Sequence, residues 1–384
     1  MALSTDRVNT DFDTVVVGGG IIGLCASWFL AEEGVAVLCI DDGRDAGSAA
    51  NAGSLHVQMQ SRMDRLFPQR VADYEKTLSI YPRAVDYWLE IERRLDQDIE
   101  LNVGGGLMIA EDQDQVKRLA EKCRRENKHG VETQLIEKAE LLRIAPYLNR
   151  DVCGAVYCAK EGKVNPLLAN SAIRRAVIEY GGTIHTGSRV NNIDRSRDGF
   201  VVASDAGRFR TRRVMIAAGV GTGSLVAGLG IRLPTTAEPL HINITNFAVP
   251  FMKHLLQHAE SALTMKQLNN GQVLIGGGWP AQPARESGAP GILLDSLIGN
   301  ISLAQHVVPG ISDLHIIRSW AGINTMLDLV SVLGEVETIP GLYIAVPGDA
   351  GYTLGPYCAR LVIDQMSGRA PDYPLSPFSV MRFA

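Results

Sequence analysis

Three glycines near the N-terminus have the spacing of a dinucleotide-binding turn. Gly18, Gly20 and Gly23 stand in "VVVGGGIIG" after an apolar run, and Asp41 ends the next apolar run. In such a turn the first glycine permits a tight bend, the second lets the backbone approach a pyrophosphate at a helix N-terminus, and the third allows close packing of helix and strand. The carboxylate would bind ribose hydroxyl groups. The pattern predicts dinucleotide binding, although other α/β proteins contain short glycine turns of the same form.

The surrounding residues supply the elements that such a turn needs. "DTVVVGGGIIGLCASWFLAEEGVAVLCIDD" predicts a buried strand, a helix over about Ile22 to Glu33 that Gly34 ends, and a second strand ending in Asp41. The strand, the turn, the helix and the acidic residue follow one another at the spacing of a βαβ unit. This favours a βαβ nucleotide fold over an isolated glycine turn.

The next segment, "SAANAGSLHVQMQS", favours a large planar ligand. Its small residues allow such a ligand to lie against the backbone, and the alternating Leu55, Val57 and Met59 predict a course toward the interior. A flexible surface loop is the alternative.

Two later segments also have the pattern of a buried strand followed by a glycine turn. "RRVMIAAGVGTG" predicts a buried strand over Val214 to Ala218, and "GLYIAVPGDAGYTLGPYCARLVIDQMSG" predicts a strand, a glycine turn and a helix from about Leu354 to Met366. A second helix N-terminus suits a flavin, whose N1–C2=O edge gains negative charge on reduction. Three nucleotide-facing segments favour FAD over NAD.

Composition excludes several other classes. The 384 residues, 46% hydrophobic and 21% charged, predict two domains or one with a large insertion, and a net charge of −5 argues against nucleic-acid binding. The six cysteines form no CxxC pair, so no metal site is predicted. The apolar run after Asp11 and Asp13 is too short and glycine-rich to cross a membrane. We expect a cytoplasmic protein, with membrane association open only through partners.

Several motifs together resemble one family over nearly the whole chain. The N-terminal turn, "SAANAG", "IAAG", "NGQVLIGGG", "SWAGINTMLD" and "GDAGYTLGP" are similar to D-amino-acid-oxidase-type FAD-dependent oxidoreductases. Within that family, "NAGSLHVQMQS" and "SWAGINTMLD" are most similar to the B subunit of opine oxidases, the catalytic flavin subunit that acts on octopine or nopaline.

The resemblance implies an α/β fold: a Rossmann-like FAD-binding domain of the GR2 type and an α+β substrate domain built on an antiparallel sheet. The FAD-binding domain is expected over 11–86, 151–232 and 327–384, and the substrate domain over 87–150 and 233–326. "HINITNFAV", "ALTMKQLNNGQVLIGGGW" and "DLHIIRSWAGI" are predicted strands, with a hairpin turn at 269–271.

The resemblance also implies a set of FAD contacts in the three segments and one further strand. The residues expected to bind FAD are Gly18, Gly20, Ile21, Ile22, Gly23, Asp41, Asp42, Ser48, Ala49, Asn51, Ala52, Gly53, Leu55, Val190, Ala218, Gly219, Gly348, Gly351, Tyr352, Thr353 and Leu354.

In this family the amine substrate gives its α-hydride to flavin N5, so no general base is required. Two positions depart from relatives. Asn324 follows "WAGI" where glycine oxidase has an arginine for the substrate carboxylate, and Ile275 stands at about the place of the lysine that activates oxygen in monomeric sarcosine oxidases. We therefore expect electrons to pass to a partner subunit with a flavin or a [2Fe-2S] centre.

The substrate contacts are hypotheses with ordinary structural alternatives. A lone histidine is often a core residue, and single cations, Arg285 and Arg318 included, are often solvated or paired; Glu238 could meet a guanidinium or solvent. The residues expected to act in catalysis are His56, Gln267 and His241, and those expected to bind substrate are Gln58, Arg62, Lys266, Trp279, Asn324 and Tyr352.

Three functions stay open on the sequence. The first is the catalytic flavin subunit of an opine or related amine dehydrogenase in a hetero-oligomer. The second is an oxidase for glycine, sarcosine or hydroxyproline that produces hydrogen peroxide. The third is a flavin-holding subunit without a substrate of its own.

Overall fold

The computed structural model describes residues 8–9, 12–44, 47–60, 68–283 and 290–384. Along these residues the helices are α1 (Ile21–Glu32), α2 (Val71–Glu75), α3 (Ile80–Leu95), α4 (Gln113–Lys128), α5 (Lys138–Ile144), α6 (Pro166–Glu179), α7 (Thr222–Ala227), α8 (Leu294–Val307) and α9 (Gly351–Met366). The strands are β1 (Val8–Asn9), β2 (Thr14–Val17), β3 (Val37–Asp41), β4 (Ser54–Leu55), β5 (Gly106–Ala110), β6 (Gln134–Glu137), β7 (Gly154–Cys158), β8 (Gly162–Lys163), β9 (Thr183–Thr186), β10 (Val190–Ser196), β11 (Gly199–Ser204), β12 (Gly207–Thr211), β13 (Arg213–Ile216), β14 (Thr236–Phe247), β15 (Leu255–His258), β16 (Thr264–Gln267), β17 (Gln272–Gly276), β18 (Ile316–Met326), β19 (Val332–Glu335) and β20 (Leu342–Val346).

The nucleotide fold is built on a six-stranded sheet in the order β19-β20-β13-β2-β3-β9. Its pairs are parallel except β19 with β20. Helix α1 is apolar on all sides because it lies inside the domain, where it packs against α6 and α9. The other face of the sheet packs on a smaller sheet, β1-β12-β11-β10, through residues such as Val15 and Phe209. Three layers result, and the predicted βαβ unit is confirmed with helix bounds within one residue of those expected.

The second sheet has eight strands in the order β18-β14-β17-β16-β15-β5-β7-β6. Its pairs are antiparallel except β15 with β5, which run parallel, so the predicted antiparallel sheet is in fact mixed. The expected hairpin at 269–271 joins β16 to β17, with Gly271 at φ 89°. Helix α8 packs against β14 and β17 and so covers one face of this sheet.

Helix α3 and strand β7 lie close to the expected domain boundaries at 86/87 and 150/151. Helix α3 runs through the expected boundary at 86/87 because it packs against α9 of the nucleotide fold. Strand β7 pairs with β5 and β6 in the large sheet, although the boundary was expected at 150/151. None of the helices in the described part of the chain is long and apolar enough to cross a membrane.

A small cluster of charged and polar side chains joins the C-terminal ends of α1 and α9. Arg369 donates to Glu33 Oε1 at 2.5 Å, and the Ser367 hydroxyl donates to Glu33 Oε2 at 2.7 Å. Burial raises the pKa of Glu33, but the hydrogen bonds from Arg369 and Ser367 outweigh burial and leave that pKa below its ordinary value.

Candidate active site

The glycine turn brings β2 and α1 into direct contact. Gly18 has a φ of 108°, and a Cβ on Gly23 would overlap the Gly18 carbonyl oxygen. Gly20 caps α1 without a side-chain acceptor, and the first turn of α1 contains no acidic residue. The positive end of the helix is therefore offered to an anion from outside the helix.

Of the two acidic residues after β3, Asp41 lies at this turn. A Cβ on Gly19 would come within 2.5 Å of Asp41 Oδ2, which places the carboxylate against the turn. Asp42 instead pairs with Arg44, with 2.6 Å between Arg44 Nε and Asp42 Oδ2. Asp41 is thus the better placed of the two for a ribose.

The loop of residues 48–55, called here the 48–55 loop, lies against the start of α1. Ser48 Oγ accepts from the Ile21 N–H at 2.9 Å, and Asn51 Oδ1 accepts from the Gly53 N–H at 2.7 Å. Gly53 has a φ of 68°, and a Cβ there would overlap the Val164 carbonyl oxygen, so only glycine fits. Local bonds and close backbone packing fix the loop.

The start of α9 adjoins the same loop. Thr353 Oγ1 accepts from the His56 N–H at 3.0 Å, and its hydroxyl lies 3.4 Å from the Ser54 carbonyl oxygen. Helix α9 begins at Gly351, three residues earlier than expected, after Ala350 at φ 52°. Like α1, it has neither a side-chain cap nor an acidic residue in its first turn. The N-terminus of α1, where Ser48 accepts from Ile21, and the N-terminus of α9 therefore flank one loop.

These features suit FAD. The glycine cradle and the end of α1 would hold the pyrophosphate, Asp41 the ribose, and the end of α9 the flavin ring. Ala217 follows β13 and its N–H donates to the Val17 carbonyl at 2.8 Å, so Ala218 and Gly219 lie beside the turn. Val190 is buried at the start of β10, and Gly348 N–H donates to Ser331 Oγ at 3.1 Å behind α9. Several of the residues expected to bind FAD have buried side chains and offer mainly backbone groups: Ile21, Ile22, Leu55 and Leu354.

One face of the large sheet covers the 48–55 loop. Trp320 on β18 donates from Nε1 to the Ala50 carbonyl at 2.9 Å. Asn324 and Glu238 pair across β18 and β14 on the same face, with 3.5 Å between Asn324 Nδ2 and Glu238 Oε2. This face is called here the loop face, because Trp320 on it contacts the 48–55 loop.

His241 lies on the opposite face. It alternates with Ile242, the cross-strand partner of Trp320, and shares its face with Asn243, which donates to Asn300 of α8 at 3.1 Å. Its Nε2 is buried without a hydrogen-bond partner among the described residues, and burial lowers the pKa of His241. The register thus directs this side chain toward α8, away from the position expected for a catalytic residue.

Two more of the expected site residues have structural contacts. Gln267 Oε1 accepts from the N–H groups of Phe251 and Met252 at 2.7 and 3.0 Å, and its Nε2 donates to the Gly271 carbonyl at 2.9 Å. Trp279 donates to the Ala262 carbonyl at 2.6 Å, and its ring packs on α8. The Gln267 side chain thus holds the turn after β16, and the Trp279 side chain lies on the α8 side of the sheet.

Gln58 and Tyr352 are directed into the interior. Gln58 Nε2 donates to the buried Glu161 carboxylate at 2.9 Å. The Tyr352 ring stacks on Trp88, with 5.5 Å between centroids, and its hydroxyl donates to Asn170 at 3.0 Å. Tyr352 can offer a ligand its backbone at the start of α9, but its side chain belongs to the helix layer.

Lys266 does reach the 48–55 loop. It is 2% exposed, donates to the Ala52 carbonyl, and lies 2.9 Å from Ser54 Oγ. Burial and the nearby Lys163 hold the pKa of Lys266 well below its ordinary value. A buried cation without a carboxylate partner in the described part of the chain is costly, so its position on the loop has functional interest.

This lysine revises the interpretation of β17. Ile275 pairs with Asn243 and therefore faces α8. Leu274, which adjoins Ile275 on β17, lies on the loop face, and its cross-strand neighbour is Lys266. A lysine is thus present at the loop, one strand away from the position compared with sarcosine oxidases.

Three other cations are candidates to bind a substrate carboxylate. Arg62 and Arg285 lie outside the described residues. Arg318 is exposed on β18, two residues from Trp320, with its guanidinium carbon 5.5 Å from the Trp320 ring centroid. It stands at the outer end of the loop face.

The buried carboxylates near His56 were not predicted from the sequence, because neither of them stands in a motif that indicates a buried acid. Glu161 accepts from the Val57 and Gln58 N–H groups, and Glu126 from the Met59 N–H. Lys122 and Glu126 have the i, i+4 spacing of a helical ion pair, which is a weak hint. Glu161 lies in a turn, where a carboxylate is usually exposed.

The comparisons with known proteins agree with this geometry. The family model described as FAD dependent oxidoreductase (DAO) matches residues 13–365. The B subunit of opine oxidase from Rhizobium meliloti is 25% identical over 97% of this chain and 98% of its own, and the one from Agrobacterium tumefaciens is 24% identical over 97% and 98%. The solved glycine oxidase of Geobacillus kaustophilus has a TM-score of 0.84 at 22% identity, covering 97% of this chain and 99% of that one. The fold is therefore that of these flavoproteins, and the chain belongs to the DAO family of FAD-dependent oxidoreductases.

Proposed function

We propose that this chain is the catalytic flavin subunit of an opine dehydrogenase. It oxidises the secondary-amine C–N bond of octopine or nopaline, and the resulting imine hydrolyses to L-arginine and pyruvate or 2-oxoglutarate. The observation that carries the proposal is the similarity to the B subunits of two opine oxidases over nearly the full length of both chains.

The loop face supports an arginine-derived substrate over a simple amino acid. Asn324 stands where a carboxylate-binding arginine would be expected, and Glu238 sets a carboxylate beside it. A carboxylate suits the guanidinium of an opine, since charge-assisted hydrogen bonds to guanidinium groups are strong and directional. Arg318 at the outer end of the same face suits a substrate carboxylate.

The chain's own residues bind and orient in this proposal. Bound FAD supplies the two-electron acceptor. The N-termini of α1 and α9 hold its charged groups, and the loop face sets the substrate against the ring. His56, at the edge of the 48–55 loop, is retained as a site residue, whereas His241 and Gln267 are not.

Anaerobic bleaching of the flavin tests the proposal. The purified holoprotein is mixed in turn with octopine, nopaline, hydroxyproline, glycine and sarcosine, and flavin absorption is followed. Rapid bleaching by one opine, with slow recolouring in air, is the expected result. If none of the five bleaches the flavin, the opine assignment fails for this chain, and a flavin-holding role becomes the better account.

A peroxide-forming oxidase is the second candidate, and Lys266 is the observation that favours it. Its ammonium contacts the 48–55 loop, and a lysine near the flavin activates oxygen in the sarcosine oxidases that the sequence resembles. If Lys266 has this role, Lys266→Met slows recolouring in air but leaves turnover with an artificial acceptor unchanged. Lys160→Met, which removes a lysine paired with Asp86 and not with the 48–55 loop, is the matched control.

The dehydrogenase proposal includes an electron-accepting partner. Two relatives are named as subunits of opine oxidase and another as the beta subunit of sarcosine oxidase. We propose a cytoplasmic hetero-oligomer in which a partner carrying a flavin or a [2Fe-2S] centre takes the electrons. Fast recolouring by air with stoichiometric peroxide in the isolated chain would argue against the need for such a partner.

A further inference from the structure

The segment of residues 56–59, which leaves the 48–55 loop, is held by side chains. Its first N–H group donates to Thr353 Oγ1 at 3.0 Å, and the next two donate to Glu161 Oε1 at 2.9 and 3.0 Å. The fourth donates to Glu126 Oε1 at 2.7 Å. Four successive backbone donors thus depend on α9, on the β7–β8 turn and on α4.

Glu161 is the centre of this arrangement. It is 0% exposed, and besides the two backbone groups it accepts from Gln58 Nε2 at 2.9 Å and from Gln257 Nε2 at 3.1 Å. A Cβ on Gly106 would overlap Glu161 Oε2, so the carboxylate is enclosed by backbone as well. Gln257 lies on β15, and Glu161 therefore joins the 56–59 segment to the large sheet.

The carboxylate is matched to its donors in the ionised form. Each contact that the structure gives Glu161 comes from an N–H group, so a proton on either oxygen would face a donor. Burial raises the pKa of Glu161 above its ordinary value, and the N–H donors and the nearby Lys122 only partly offset this rise. Lys122 itself bonds to Glu126 Oε1 at 2.6 Å and to Gln58 Oε1 at 3.3 Å.

Such a group is a poor source of stability. A buried charge carries a large desolvation penalty, and apolar replacements of buried ionic groups are often neutral or stabilising. What the network supplies is a single backbone conformation, because two carboxylates fix three consecutive N–H groups in direction and distance. That conformation sets where the segment enters the cofactor site.

We propose that Glu161 is a positioning residue for the flavin: its carboxylate fixes the backbone of Val57 and Gln58, and thereby aims His56 and the 48–55 loop at the bound cofactor. The inference rests on FAD binding by the family and not on the identity of the substrate. Glu126 has the same role for Met59.

The test measures flavin binding on the full chain. Holoprotein is prepared, its visible spectrum is recorded, FAD is removed, and the Kd for FAD is determined by fluorescence titration. Glu161→Gln keeps the shape but turns an NH2 group toward the N–H donors. We expect its Kd for FAD to rise about tenfold or more and its visible flavin bands to shift, with cooperative unfolding of the apoprotein retained.

The matched control is Glu111→Gln. Glu111 belongs to the same domain and binds His258 and His306, with 3.0 Å to His258 Nε2, without contacting the 56–59 segment. It should lower stability but leave the Kd for FAD and the spectrum unchanged. Wild-type Kd and spectrum in Glu161→Gln, or equal changes in both variants, would overturn the proposal.

A second variant decides the matter if Glu161→Gln does not fold. Gln257→Met removes a donor that holds the Glu161 carboxylate in place, so the carboxylate is less firmly fixed against the segment. We expect a smaller rise in the Kd for FAD, about threefold, equivalent to about 0.7 kcal/mol. An unchanged Kd in this folded variant would refute a positioning role.

Discussion

Replacing Glu238 by glutamine tests the proposed recognition of a guanidinium. Glu238 lies on the loop face, in register with Asn324 across β14 and β18. The substitution keeps the size of the side chain and the long 3.5 Å contact with Asn324 Nδ2, and it removes the charge. Any loss of activity toward arginine-derived opines can then be assigned to the charge.

The expected magnitude follows from the exposure of the site. A hydrogen bond to a charged group contributes about 1.5–3 kcal/mol. Glu238 is half-exposed, so the lower end of that range applies. About 1.5 kcal/mol corresponds to about a tenfold fall in kcat/KM for octopine. An analogue with alanine in place of the arginine half has no guanidinium and should be unaffected.

The assay compares kcat/KM for the two substrates with an artificial electron acceptor. Glu238→Gln should lower the ratio of octopine to analogue about tenfold. Glu260→Gln, which removes the carboxylate paired with Arg118 in the same domain, should leave the ratio unchanged. An equal fall for both substrates would show that Glu238 shapes the site without recognising the guanidinium, and no fall at all would refute the reasoning.

Three further substitutions test the cofactor site and its support. Thr353→Val leaves the His56 N–H without its acceptor and should lower the unfolding free energy of the apoprotein by about 1–3 kcal/mol, whereas Thr353→Ser should cost less, as denaturant titration will show. Gly53→Ala should abolish FAD retention on a desalting column, because its Cβ overlaps a carbonyl oxygen, while Gly187→Ala, at φ 73° with open space around it, should cost only about 1–2 kcal/mol. Glu33→Gln should cost about 0.5–1 kcal/mol near pH 6, and the difference from wild type should vanish as pH falls below the ordinary carboxyl pKa of 4.5, because a carboxylate with a lowered folded-state pKa stabilises only while ionised. A difference that grows with acid would contradict that assignment.

The parts of the site that the sequence predicted are those set by neighbouring residues. The glycine turn, α1 and Asp41 depend on spacing within one βαβ unit, and helix bounds came out within one residue. The turn at 269–271 was likewise readable, because Gly271 takes the positive φ that a tight hairpin needs. A backbone conformation that only certain residue types can adopt is visible in the sequence, because one of those residues must occupy the position.

The face of each strand residue was not readable in this way. His241, Gln267 and Ile275 lie on strands of the large sheet, but which face each occupies follows from alternation anchored by distant contacts. Trp320 to Ala50 and Asn243 to Asn300 are such anchors. A shift of one residue reverses every face, so a strand can be predicted correctly while its side chains are assigned to the wrong side.

The strand register also decides whether a lysine lies at the 48–55 loop, and Lys266 does. The expectation that electrons pass to a partner subunit rested on the lack of a lysine on β17, judged from one strand taken alone. The antiparallel pairing of β16 with β17 sets Lys266 beside Leu274, and its ammonium reaches the Ala52 carbonyl. Whether electrons leave to oxygen or to a partner therefore depends on what this cation does to the flavin. Burial and the nearby Lys163 lower the pKa of Lys266, so its amine loses the proton at a lower pH than an exposed lysine does. An oxygen-dependent recolouring rate that rises as pH falls in wild type, and is flat in Lys266→Met, would assign the reaction with oxygen to the ammonium form. A rate independent of both pH and Lys266 would leave the dehydrogenase with a partner as the account that fits the site.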